Sequence, residues 1–128
     1  MADTDQSERV GVERLRKRPQ FLFVRSGPSE RRKSLVVQAR YRDDCRPHIG
    51  EGFTATKKIG KATVRNRAKR RLREAARHLL PKHGQSGADY VFIARKDTAT
   101  IVWDRLLDDM ESALISLAPK VSAGSGPT

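Results

Sequence analysis

Between Lys57 and Arg77 the chain carries ten basic residues and one acid, Glu74. A segment this charged cannot enter a core whole, so its fold must put the charge on one side and something apolar on the other. The spacing predicts a helix from about Thr63 to Leu80, ended by Pro81 and Gly84. At about 100° per residue, Val64, Ala68, Leu72, Ala75 and Leu79 fall in a sector of roughly 80°. Asn66, Lys69, Arg70, Arg73 and Arg77 fall on the opposite side, with Arg65, Arg67 and Arg71 flanking them.

A helix that merely faced water would mix signs, because like charges four residues apart repel. Lys69/Arg73, Arg73/Arg77 and Arg67/Arg71 are all such pairs, and a polyanion would relieve them. Arginine outnumbers lysine on this face, as suits a planar donor meeting phosphate through two bonds. The whole chain points the same way: 128 residues, net charge +12 and an isoelectric point near 10.7. A membrane surface fits less well, since the apolar side is small and lacks an aromatic anchor.

Around this helix the elements alternate. Arg18 to Arg25 reads as a short helix with Pro19 in its first turn and Gly27-Pro28 beyond its end. Leu35 to Tyr41 alternates as a half-buried strand, with Leu35, Val37, Ala39 and Tyr41 on one face and Val36, Gln38 and Arg40 on the other. A loop over Asp43–Gly50 leads to a second strand at Gly52–Thr56, and a third runs from Asp89 to Ala94. The final helix, about Val102 to Leu117, aligns Trp103, Leu106, Leu107, Met110, Leu114 and Leu117 on one stripe. Length and pattern indicate one domain over residues 14–118, with disordered arms at 1–13 and 119–128.

Several classes of function are disfavoured. Cys45 is the single cysteine, so no internal disulfide can form, and a reducing, cytoplasmic setting is expected. His48, His78 and His83 do not make a metal-site pattern, and no nucleophile elbow, P-loop or zinc-protease motif occurs. No stretch approaches the ~18 apolar residues of a membrane span, and the N-terminal segment lacks the apolar run of a secretory signal. No catalytic residue and no protein-bound metal is expected.

The run Gly52-Phe53-Thr54-Ala55-Thr56-Lys57-Lys58-Ile59-Gly60-Lys61-Ala62-Thr63-Val64-Arg65-Asn66-Arg67-Ala68-Lys69-Arg70-Arg71-Leu72-Arg73-Glu74 closely resembles the signature of the bacterial ribonuclease P protein family, centred on Arg65-Asn66-Arg67. Leu15-Arg16 through Phe21, Val24 and Gly27 resembles the family's first helix, and Asp89 to Lys96 its late strand. The resemblance covers about residues 14–118. It implies an α+β fold, a small single-domain sandwich in the order helix–strand–strand–strand–helix–strand–helix with a left-handed βαβ crossover. It implies a subunit of an endoribonuclease that removes the 5′ leader of precursor tRNA, with catalysis left to an RNA and its Mg²⁺. The implied partners are that catalytic RNA and precursor tRNA, with no membrane, and the free protein is expected to be a monomer. The competing reading is a ribosomal or other structural RNA-binding protein.

Two surfaces follow from the resemblance. The first is the basic helix and the turn before it: Lys57, Lys58, Gly60, Lys61, Arg65, Asn66, Arg67, Lys69, Arg70, Arg73 and Arg77, in contact with RNA. Gly60 fits equally an ordinary strand–helix turn, and Asn66 a local cap. The second is a cleft for the single-stranded leader, with Phe21 and Val24 as its wall, Val36, Gln38, Thr54 and Thr56 as its floor, and Lys57 and Lys96 at its edges. Core packing is the alternative for Phe21. Three positions depart from the family pattern: Arg25 and Gln38 stand where aromatics are common, and Glu51 where an apolar residue is usual.

Overall fold

The structure, a computed structural model, describes residues 11–125, with side chains through Val121. Five strands and three helices follow in chain order: β1 (Val12–Arg14), α1 (Arg18–Arg25), β2 (Ser29–Arg31), β3 (Leu35–Tyr41), β4 (Ile49–Thr54), α2 (Ala62–His83), β5 (Ala88–Ala94) and α3 (Trp103–Ser125). Single 3₁₀ turns at Lys57–Ile59 and Lys96–Ala99 precede α2 and α3. The strands form one sheet in the order β1-β4-β5-β3-β2. β1 and β5 run parallel to β4, while β3 is antiparallel to both β5 and β2. Parallel neighbours need a crossover, and α2 supplies it between β4 and β5.

The alternation read in β3 is what builds the core. Leu35, Val37 and Ala39 are fully buried and face α2 and α3, together with Tyr90 and Phe92 of β5. α2 contributes Ala68, Leu72, Ala75 and Leu79, and α3 contributes Leu106, Met110, Leu114 and Leu117. Each large side chain removed from water here contributes about 1.5–3 kcal/mol. On the other face of the sheet, a smaller cluster of Leu15, Val24 and Val91 seats α1.

Several boundaries differ from the sequence reading. β1 precedes the implied first helix and takes up Val12 and Glu13, which the sequence assigned to a disordered arm; residues 1–10 of that arm lie outside the described residues. Leu15, next in the chain, donates its N–H to the Glu51 carbonyl and buries its side chain, so this segment is tied into the sheet. α3 runs past Leu117 through Pro119 to Ser125, within the other expected arm, because Val121 still reaches the core at 1% exposure. Pro119 is exposed, so its ring is accommodated on the solvent side. β4 starts at Ile49 and stops at Thr54, where its pairing with Ile93 ends. Ala55 and Thr56 then lead into the 3₁₀ turn. The α2 face that is buried is also wider than the stripe, since Ala76 and Leu80 are fully buried as well.

The long loop before β4 is organised by Arg42. Its guanidinium donates to Asp89 at 2.6 Å, to Asp44 at 2.9 Å and to the carbonyls of Arg46 and His48 at 2.8 and 2.7 Å. This holds a loop in which Asp43 and Cys45 both adopt positive φ.

Candidate nucleic-acid interface

α2 presents the cationic side as the wheel requires. Lys57, Lys58, Lys61, Asn66, Arg67, Arg70, Arg73 and Arg77 are exposed, while Arg65 and Lys69 are half-buried. Among the described residues no carboxylate lies within ion-pair distance of Lys57, Lys58, Lys61, Arg65, Arg67, Lys69, Arg70 or Arg73. Arg77 alone of the predicted set has such a partner, Glu74 at 3.4 Å, an exposed contact of little energetic weight.

The approach to the helix is built by its own residues. Gly60 has φ +151°, a conformation that side-chain-bearing residues rarely adopt, and Val64 closes over it. Arg65 folds back so that Nη1 donates to the Gly60 carbonyl at 3.0 Å. Its remaining donors are still available, so Arg65 both braces the turn and adds charge to the surface. Asn66 is exposed and lies within α2, after the helix start, which removes the N-cap alternative.

Arg71, one of the flanking arginines, has a different job. It donates to the carbonyls of Thr98 at 2.6 Å and Ile101 at 2.5 Å, and its guanidinium lies 5.8 Å from the centre of the Trp103 ring. Burial lowers its pKa, and the charge of Arg67 adds to the effect. Arg71 therefore ties α2 to the turn before α3. The wheel held a sign of this, because Arg71 lies roughly 20° from Val64 at 100° per residue, on the border of the apolar stripe.

The second surface lies on the α1 side of the sheet and is ordered by strand register. Three rows cross β3, β5 and β4: Arg40–Asp89–Gly50, Gln38–Val91–Gly52 and Val36–Ile93–Thr54. α1 covers the first two. Phe21 packs on Gly52, where an added Cβ would lie 2.6 Å from the ring. Arg40 donates to the Phe23 carbonyl at 3.1 Å and stacks 4.3 Å from the centre of the Phe23 ring. The third row, Val36, Ile93 and Thr54, stays half-exposed beside the half-buried Phe21.

This arrangement corrects one assignment and adds another. Val24 is fully buried against Leu15 and Val91, so it seats α1 and cannot form the cleft wall. Ile93 lies between Val36 and Thr54 in the half-exposed row, a place the sequence reading did not give it, because the central position of β5 between β3 and β4 is a tertiary fact. Its alternation with Asp89 and Val91 was nevertheless visible in the sequence. Thr56, Lys58 and Lys96 meet at the far end of the floor, where Lys33 and Arg95 join them around one shallow depression.

Among the described residues no three His, Cys, Asp or Glu side chains come together to hold a metal ion. No described helix is long and apolar enough to cross a membrane.

The ribonuclease P family model matches residues 11–118. A ribonuclease P protein component from Caulobacter vibrioides is 57% identical over 112 residues, covering 88% of this chain and 75% of the relative. One from Ruegeria pomeroyi is 51% identical over 113 residues, covering 86% and 90%. Among solved structures, the RNase P protein of Staphylococcus aureus superposes with a TM-score of 0.69 at 25% identity, covering 84% of this chain and 96% of that one. The Thermotoga maritima protein gives 0.66 at 29% identity, covering 80% and 96%. Motif run, fold and relatives agree: the chain belongs to the ribonuclease P protein family.

Proposed function

We propose that the open side of α2 docks on ribonuclease P RNA while the α1–sheet cleft receives the 5′ leader of precursor tRNA. As a ribonuclease P protein component, the chain is a subunit of an endoribonuclease that matures tRNA 5′ ends. The protein's part is physical. Two RNAs brought together repel, and a cationic surface between them lowers that cost by releasing counterions from both. Lys57, Lys58, Lys61, Arg67, Lys69, Arg70 and Arg73 supply the charge for the catalytic RNA. Phe21, Ile93 and Val36 supply a flat apolar surface on which a base of the leader can rest, with Gln38, Thr54 and Thr56 offering hydrogen bonds and Lys96 a phosphate contact. The Mg²⁺-dependent chemistry belongs to the RNA, and the protein acts as a monomer in the cytoplasm.

One observation carries this reading: the α2 front lies open, and apart from Arg77, which pairs with Glu74, its cations have no carboxylate partners among the described residues. The test is reconstitution. Mixed with a bacterial ribonuclease P RNA at low Mg²⁺, the protein restores 5′ processing of precursor tRNA, and alone it cleaves nothing. Cleavage by the protein without RNA, or no rescue with it, would reject the proposal.

A further inference from the structure

Glu51 interrupts a strand that is otherwise small or apolar, and neither surface above uses it. It lies on the α2-facing side of β4, in register with Arg14 of the edge strand β1. There it helps line a groove of about 400 Å³ between β1 and α2. The exposed Val12 and Pro81 give the groove apolar walls, backed by the buried Ala76 and Leu80, and Arg14, Arg70, Arg73 and Arg77 give it a cationic rim in which Glu74 pairs with Arg77. Such a volume is within the ~300–1,000 Å³ range of small-ligand sites.

The Glu51 carboxylate is half-buried, and among the described residues no donor hydrogen-bonds it. The arginines nearest it are turned toward another partner: Arg14 and Arg73 lie 6.0 and 5.7 Å from the centre of the Phe53 ring. Burial pushes the Glu51 carboxyl above its usual range, with the charges of Arg14 and Arg73 opposing the rise. The groove thus holds an acceptor without a donor, apolar walls and a rim of four arginines against one further carboxylate, Glu74.

A bare phosphate would meet the rim but be repelled by the carboxylate, and would leave the walls unused. A purely apolar ligand would leave Glu51 buried and unpaired, which costs more than leaving it to water. A nucleotide satisfies all three features. Its phosphate meets the arginines, its flat face meets the apolar walls and a guanidinium plane, and the donors on its base edge meet the carboxylate. Guanine places two adjacent N–H donors on its Watson–Crick edge, which match the two acceptor oxygens of an ionised carboxylate. We propose that the β1–α2 groove binds an unpaired guanine of the partner RNA, with Glu51 accepting from its Watson–Crick edge. The inference rests on α2 docking on RNA and adds a base-reading site to a surface otherwise made of phosphate ligands.

The free full-length protein can be titrated with 5′-GMP, the other three 5′-monophosphates and inorganic phosphate while backbone amide resonances are followed. GMP is expected to move the amides of Val12, Glu51, Ala76 and Leu80 and to bind about tenfold more tightly than AMP or UMP, the discrimination typical of a two-bond base contact. Glu51→Gln, an isostere whose amide spectrum checks the fold, should erase that preference. Equal effects from all four nucleotides, the same shifts from phosphate alone, or no shifts in the groove would overturn the proposal. A photoreactive residue placed at Val12 or at Asn66 in the assembled ribonucleoprotein separates the two layers. Crosslinks from Val12 to an unpaired guanosine support the groove. Crosslinks from Asn66 alone reject it and leave α2 docking intact, and none from either position rejects both.

Discussion

The Phe21 ring rests directly on Gly52: a methyl group there would sit 2.6 Å from Cε2 and 2.8 Å from Cζ. The bare backbone of β4 is what lets α1 lie this close to the sheet. Gly52→Ala should push the ring toward the half-exposed row formed by Val36, Ile93 and Thr54 and narrow the cleft. In the assembled enzyme, affinity for leader-bearing precursor should fall several-fold while affinity for mature tRNA stays constant. Equal losses for both RNAs would mean that Phe21 serves packing alone.

Arg67 and Arg71 lie one helical turn apart and should behave oppositely. Arg67 is exposed and has no carboxylate partner among the described residues, so Arg67→Ala should leave the unfolding midpoint in place. It should also reduce the slope of log affinity for the catalytic RNA against log salt by about one. Arg71 serves the fold through Thr98 and Ile101. Arg71→Ala strands two carbonyls and should cost about 2 kcal/mol in urea unfolding, with a smaller change in salt slope. An unchanged slope for Arg67→Ala would remove the case for phosphate contact.

The Arg42–Asp89 pair, 2.6 Å apart with Asp89 at 5% side-chain exposure, anchors the loop before β4 to the sheet. Removing one partner of a buried pair typically costs about 3–5 kcal/mol, because the other charge is left uncompensated. Asp89→Ala should therefore lower the urea midpoint sharply and make the backbone around Cys45 more accessible to protease. A midpoint near that of the unmodified protein would show that the loop holds without the pair.

Tyr90 supplies a pH test of the core. Burial pushes its phenol up to about 12, only partly offset by the hydrogen bond its oxygen accepts from the Gln85 N–H at 2.9 Å. A tyrosine in the unfolded chain ionises near ~10. The folded state therefore holds its proton more tightly, and the stability this group contributes is full below about pH 10 and is lost as pH rises toward 12. Ultraviolet difference titration should show one tyrosine ionising only near the upper limit, together with unfolding. Tyr90→Phe should abolish that late step, and a late step that survives the substitution would refute the assignment.

Local pattern determined a good deal by itself. The bounds of α1 and β3, the apolar stripe of α3 and the cationic side of α2 are all set by spacing along one element, with periods of 3.6 or 2, and the structure keeps each of them. Where local rules misled, a distant contact outweighed a local cost. The apolar stripe was read only as far as Leu117 and Pro119 is a local cost beyond it, yet Val121 sits four residues past Leu117 on the same stripe, and its burial carries α3 onward. Gly50 argued for a loop, yet pairing with β1 on one side and β5 on the other makes it strand.

What only the tertiary structure decided is which charges and which apolar groups are left over for a partner. Arg67 and Arg71 both flank the cationic side in sequence, and it is the carbonyls of Thr98 and Ile101, 27 and 30 residues from Arg71, that tie one of them to the fold and leave the other exposed. Val24 and Ile93 trade places for the same reason. Sequence spacing fixes the direction of a side chain within its element, whereas exposure depends on what packs against that element. The seat of α1 on Leu15 and Val91 buries the valine and leaves the isoleucine half open.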